Sequence, residues 1–168
     1  AYFRTIPILP EANGRVAEIF MNGVSGEFKQ GEPIFRLDSS RPEAAAESAR
    51  RRIVEADASL LVARASLQAT EGRIQEARSA FQQTLDELET KQELYRRNPG
   101  SVATREIERL QVALQGRQGA IDSAIAAREE AQARVTSLLP AERASAEAAL
   151  AEAQVELDKT VVRAGVDG

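Results

Sequence analysis

A seven-residue recurrence of large apolar side chains runs through the first half of this chain and limits its fold more than any other feature. Ile53, Leu60, Leu67, Ile74, Phe81, Leu88 and Tyr95 follow this spacing, and Ala46 extends the series backward. Three residues after each come Ala49, Ala56, Ala63, Thr70, Ala77, Thr84 and finally Lys91. Such spacing keeps side chains on one side of an α-helix, so the two series form a single seam with alternating large and small layers. The small layers let a second helix approach closely. Arg, Glu, Gln and Ser fill the other faces, as expected for a helix wetted on most sides. At ~1.5 Å per residue, a helix over 42–97 is roughly 84 Å long. A compact domain built from 168 residues has no core of that length, so the helix must project and must find a partner.

The helix start is well signalled. Ser39 or Ser40 can cap it, Pro42 suits its first turn, and Glu43 and Glu47 complement the positive end of the helix dipole. Its end is marked by Asn98-Pro99-Gly100-Ser101: Asn98 can terminate a helix, Pro99 cannot continue it, and Gly100 eases the turn. Ser101 or Thr104 can then cap a second helix with Glu106 and Glu108 in its first turns. The second seam comprises Ile107, Leu110, Leu114, Ile121, Ala124, Ala131, Val135 and Leu138, interrupted by Arg117 and Arg128. Pro140 predicts a kink or break, after which helix resumes near Ala141 with Leu150, Ala153 and Leu157 as its packing stripe. The arms on either side of the turn are nearly equal, which predicts an antiparallel hairpin with Pro140 opposite about Ser59.

Two short β-like pieces flank this helical stretch. Tyr2 to Leu9 reads as an entering strand, Val16, Ile19 and Phe20 mark the next, and Ile34, Phe35 and Leu37 a third. Gly23, Gly26 and Gly31 punctuate the turns. At the other end, Thr160-Val161-Val162-Arg163-Ala164 is again strand-like. Neither piece can bury a core alone, so the two must meet, and the helical middle must go out and come back.

The composition excludes several kinds of chemistry. The chain has no Cys and no His, so disulfides, thiolate nucleophiles and Ser-His-Asp or Cys-His arrangements cannot form. A net charge of −4 with mixed signs gives no broad basic field for nucleic acid. Gly23-Val-Ser-Gly26 and the stretch from Gly26 to Gly31 lack the phosphate-loop pattern. The carboxylates, Glu129-Glu130 among them, sit at helix-surface spacings beside Arg and Lys and read as solvated faces. Arg50-Arg51-Arg52 lies among Glu47, Glu55 and Asp57. Arg96-Arg97 at the tip is favourable charge at a helix C-terminus, and equally a contact for a partner; the two readings are compatible. No catalytic, cofactor or metal site is expected.

The end pieces carry a resemblance. Gly14-x-Val16-x-x-Ile19 and Phe28-Lys-x-Gly31-Glu-x-Ile34-Phe35-x-Leu37-Asp38 are similar to the first lipoyl half-motif of HlyD-like membrane fusion proteins. Leu150-x-x-Ala153-x-x-x-Leu157-x-x-Thr160-x-Val162-Arg163-Ala164-x-x-Asp167-Gly168 is similar to the second, with Gly165 where that family usually has Pro. The resemblance covers essentially the whole chain in order. It implies an α+β, mostly α fold: a long antiparallel coiled-coil hairpin, residues 39–158 with its tip at about 98–103 and a helix break near 140, inserted into a small lipoyl-like β-sandwich (a barrel-sandwich hybrid). Residues 1–38 would form the first half of that domain and 159–168 the second.

The function implied is that of a periplasmic adaptor in an efflux or secretion system of a Gram-negative envelope. It would link an inner-membrane transporter to an outer-membrane channel and self-associate into a ring. The family's N-terminal anchor and following β-barrel lie outside these residues, so the resemblance implies a fragment, anchored to the inner membrane through a segment not included here. The tip residues expected to meet a partner are Arg96, Arg97, Asn98, Gly100, Ser101, Thr104 and Arg105. Many family members carry an Arg, a Leu four residues on and a Ser about seven further. Here Gly100 follows Arg96 and Ser101 follows Arg97 at that first spacing, so only the Arg carries over. In lipoyl carriers a modified Lys occupies the turn between the half-motifs; here that place opens into the helix at Asp38-Ser39-Ser40, and Lys29 reads as surface. Two rivals remain: a lipoyl or biotinyl carrier-like domain with a helical insertion, and a purely structural coiled coil.

Overall fold

The computed structural model describes residues 7–20 and 28–165. It is mostly helical, with one small antiparallel sheet. Strand β1 (Val16–Ile19) and strand β2 (Pro33–Leu37) precede helix α1 (Ser40–Arg97). Helix α2 (Thr104–Ala133), a π-helical turn (Arg134–Leu138), helix α3 (Leu139–Thr160) and strand β3 (Val161–Arg163) follow. The chain divides into two compact units, one of Ala1–Ala56 with Glu142–Gly168 and the other of Asp57–Ala141.

In the first unit the two ends of the sequence join. The sheet order is β1-β2-β3, so β2 sits between a strand near it in sequence and one that follows the whole helical stretch. Phe35 is level with Val162 and Arg36 with Val161. The pairing continues past the strands, where the Gly31 N–H donates to the Ala164 carbonyl at 2.8 Å and the Ala164 N–H to the Glu32 carbonyl at 2.9 Å. Gly31 has φ of +88°, a left-handed conformation that a side chain disfavours, and this sets the turn that leads into β2. Ile34, Leu37, Val162 and Ala164 are buried. The sandwich expected from the resemblance is a finer feature than this single three-stranded sheet. Of the expected entering strand, Pro7 to Leu9 are irregular, and the rest lies outside the described residues, as do Gly23, Gly26, Asp167 and Gly168.

The start of α1 follows its sequence signals. The Ser39 carbonyl accepts the Glu43 N–H at 2.9 Å while the Ser39 hydroxyl donates to Glu43 Oε1 at 2.6 Å. Asp38 Oδ1 accepts the Ser40 N–H at 3.0 Å, occupying one of the donors a helix start leaves free. Hydrogen bonds from the Ser40 backbone and side chain hold the Asp38 carboxyl below the ordinary carboxylate range. Pro42 stands in the first turn, where its missing N–H costs nothing.

Burial along α1 matches the seven-residue seam. Ala46, Ala49, Ala56, Ala63, Thr70, Ile74, Thr84 and Leu88 are buried, and Ile53, Leu60, Leu67, Ala77, Phe81 and Lys91 are half-buried. The polar small layers are satisfied within the helix: the Thr70 hydroxyl donates to the Leu67 carbonyl and that of Thr84 to the Ala80 carbonyl. Tyr95 departs from the expected seam and is exposed. Helix α2 begins only at Thr104, so the last turn of α1 has no facing helix to bury it.

In the second unit α1 and α2 run antiparallel. Glu71 pairs with Arg128 at 3.5 Å and Lys91 with Glu106 at 3.6 Å, so each step out along α1 is matched by a step back along α2. Leu110 and Ile121 are the buried anchors of α2. Arg128 does interrupt the seam, and its Nε is buried without a hydrogen-bond partner. An orphaned donor carries a desolvation cost of about 1–3 kcal/mol, more than a half-exposed ion pair returns. Replacing Arg128 with Leu should therefore raise stability by about 1 kcal/mol, read as a higher urea midpoint; a midpoint lowered by that amount would show the ion pair to be worth more than the orphaned Nε costs.

The kink or break expected at Pro140 takes the form of a π turn just before it, and Leu138 departs from the expected seam. Hydrogen bonding passes into the π turn, where the Leu139 N–H donates to the Arg134 carbonyl, and α3 continues through the proline to Thr160. Leu138 is 54% exposed and Leu139 only 3%, so the seam leaves the position that a continuous α-helix would bury.

Candidate functional site: the helical tip

Of the seven tip residues named from the sequence, Arg96 and Arg97 end α1, Asn98, Gly100 and Ser101 lie in the connecting loop, and Thr104 and Arg105 begin α2. Helix α1 ends with the Asn98 N–H donating to the Leu94 carbonyl. The Asn98 carbonyl then accepts the Ser101 N–H at 3.0 Å and the Ser101 hydroxyl at 2.7 Å, while Asn98 Oδ1 accepts the Gly100 N–H at 3.3 Å. A single asparagine thus closes the turn with both of its oxygens. Val102 is buried and seals the loop from within.

Neither Ser101 nor Thr104 caps α2. The N-cap position belongs to Ala103, in extended conformation and with no side-chain cap. Ser101 is committed to the carbonyls at the end of α1, a demand that local spacing alone does not reveal. The first backbone donors of α2 therefore lack a side-chain acceptor from the cap position. Thr104 and Arg105 are exposed at the start of that helix.

Arg96 and Arg97 both reach Glu93, at 2.7 and 3.1 Å, yet each side chain stays about three-quarters exposed. One carboxylate between two guanidiniums leaves the tip positive, on top of a favourable placement at a helix C-terminus. Leu94 and Tyr95 are also exposed, at 44% and 38%. Neither was expected in the site. Leu94 gave a signal in lying off the seven-residue series beside the Arg pair; Tyr95 was assigned to the seam. The tip therefore presents positive charge together with two large apolar side chains, a combination suited to a protein partner.

Elsewhere the side chains do less. Arg50 and Arg51 share Glu47, at 3.7 and 3.3 Å, so the basic run is partly neutralised. A cleft in the first unit is lined by charges of both signs, Arg15, Asp38, Arg52, Glu152 and Glu156, together with the hydroxyl residues Ser40 and Ser48. Lys29 is exposed in the turn before β2. Among the described residues, no group of three or more His, Cys, Asp or Glu is placed to hold a metal, and no helix is long and apolar enough to cross a membrane.

No protein-family model matches this chain. Among curated proteins it is similar to the multidrug resistance protein MdtN of Shigella flexneri, 27% identical over 173 aligned positions, covering 98% of this chain and 50% of that protein. It matches MdtN of Escherichia coli K12 at 26% over the same extent. The chain spans about half the length of the curated relatives it matches. Among solved structures it is similar to the periplasmic adaptor protein EmrA, with a TM-score of 0.44, 15% identity and coverage of 96% and 63% of the two chains. A second is MacA from Actinobacillus actinomycetemcomitans, with a TM-score of 0.38, 13% identity and coverage of 98% and 41%. The sequence match runs over 98% of the chain, and it makes this chain a homologue of the multidrug resistance protein MdtN.

Proposed function

We propose that this chain belongs to a periplasmic adaptor subunit in a multi-component efflux or secretion system, linking an inner-membrane transporter to an outer-membrane channel. The observation that carries this reading is the co-linear similarity to the MdtN multidrug resistance proteins over 98% of the chain. The fold supports it, because two distant ends pair in one sheet while the stretch between them is helical apart from the loop at 98–103. In this reading residues 1–38 and 159–168 are the halves of a lipoyl-like domain and 39–158 the spacer. The protein performs no bond chemistry; it holds partners at a set distance. It works in the periplasm, tethered to the inner membrane, and assembles as a ring with other copies.

The tip is the contact for the channel. Arg96, Arg97, Thr104 and Arg105 supply exposed polar groups, while Asn98, Gly100 and Ser101 hold the loop that presents them. Because these 168 residues contain no cysteine, Gly100→Cys or Ser101→Cys adds a single attachment point among them for a thiol-directed cross-linker. In intact envelopes the expected product joins this protein to an outer-membrane protein. Cross-links confined to inner-membrane or cytosolic proteins would contradict tip docking.

A further inference from the structure

The seven-residue spacing of the returning helix slips by one residue, and both of its series slip at the same place. Ile107, Leu114, Ile121, Arg128 and Val135 are buried or half-buried at intervals of seven. The next members are Arg143, Leu150 and Leu157, whereas an unbroken count leads to Glu142, which is exposed. The other series passes through Leu110, the exposed Arg117, and the half-buried Ala124 and Ala131, then continues as Leu139, Ala146, Ala153 and Thr160, these four at most 5% exposed. An unbroken count would have led to Leu138. Helix α1 shows no such slip between Ala46 and Lys91.

One extra residue in a continuous α-helix would rotate everything beyond it by about 100° and carry the later stripe off the buried side. A π turn holds one residue more than an α turn, and the turn at Arg134–Leu138 lies between Ala131 and Leu139 in one series and contains Val135, the last old member of the other. We infer that this π turn is a one-residue insertion that resets the buried stripe of the returning helix from one heptad frame to the next. Pro140 is a passenger. Its missing N–H and its ring disfavour a regular α turn there, but two offset series of side chains demand the extra residue whether or not the proline is present.

Deletion tests this in the full chain, with Pro140→Ala as the background so that the proline does not penalise a regular helix. Removing Ser137, an exposed residue of the π turn, should merge the two frames into one unbroken heptad. The melting temperature should then stay within about 3 °C of the background or rise. Removing Ala120, exposed within α2, throws Ile121 to Val135 out of phase and should lower it by more than about 10 °C. Equal damage from the two deletions, or loss of folding on deleting Ser137, would overturn the inference. A second readout needs no deletion. In Pro140→Ala, scalar couplings across hydrogen bonds should still link the Leu139 N–H to the Arg134 carbonyl. A regular α turn there, burying Leu138 in place of Leu139, would make the proline the cause.

Discussion

Replacing Ile74 with Ala should lower stability by about 2–5 kcal/mol, and replacing it with Asp should unfold the unit Asp57–Ala141. Ile74 is 2% exposed, the lowest value among the large residues of the α1 seam. The register set by Glu71 with Arg128 and by Lys91 with Glu106 brings it level with Ala124 and Ile125 on α2, both half-buried. On α1 itself the neighbouring layers hold only the small Thr70 and Ala77, so the helix that loses the side chain cannot refill the gap. The carboxylate of Asp would enter a stripe whose polar members, Thr70 and Thr84, already bond to their own helix. Urea unfolding followed by circular dichroism measures both variants. Val62→Ala on the exposed side of the same helix is the control, with an expected change within about 0.5 kcal/mol. A loss under about 1 kcal/mol for Ile74→Ala would mean that the seam does not hold the hairpin together.

Reversing both tip charges, Arg96→Glu with Arg97→Glu, should leave the fold intact and remove partner contact. Each guanidinium is about three-quarters exposed and paired with Glu93, and ion pairs of that kind contribute about 0–1 kcal/mol. The melting temperature should therefore move by no more than about 3 °C. Charged groups facing a complementary surface weigh much more, and reversal adds repulsion where there was attraction. The yield of the cross-link from Ser101→Cys should fall at least about tenfold, matching loss of roughly 1.4 kcal/mol or more of contact energy. Leu94→Ala should weaken the same cross-link without affecting the hairpin, since Leu94 lies outside the seam. An undiminished yield after charge reversal would remove the arginines from the contact.

Much of this architecture is legible in residue spacing, because a helix repeats its direction by a fixed count and the apolar series obeys that count from Ala46 to Leu88. The helix start was equally legible, since Ser39 and Glu43 act within one turn. The return of the chain followed from economy of burial: neither β piece could cover itself, and β3 does pair with β2. The failures share a different cause. Leu138 was assigned to the seam because the count assumed an unbroken α-helix, and the π turn changes the count. Tyr95 obeys the spacing but lies past the point where a facing helix begins. Ser101 has the right residue type to cap α2 and is drawn instead to the end of α1. In each case the deciding fact is where another backbone group lies, which a single stretch of sequence does not contain.

The two ends of the chain close one small sheet, with the helical excursion between β2 and β3. The natural absence of cysteine makes this directly measurable with paired substitutions, Arg36→Cys with Val161→Cys and, separately, Phe35→Cys with Val162→Cys. These positions are partners in the β2–β3 register. Successive antiparallel pairs alternate between Cα separations of about 5.5 and 4.5 Å, both within the range a disulfide spans. Mild oxidation of the folded protein should link at least one of the pairs, seen as a mobility shift that reducing agent reverses. If both pairs remain free thiols in the oxidised, folded protein, the ends do not meet, and the helical stretch is not an insertion into a single domain.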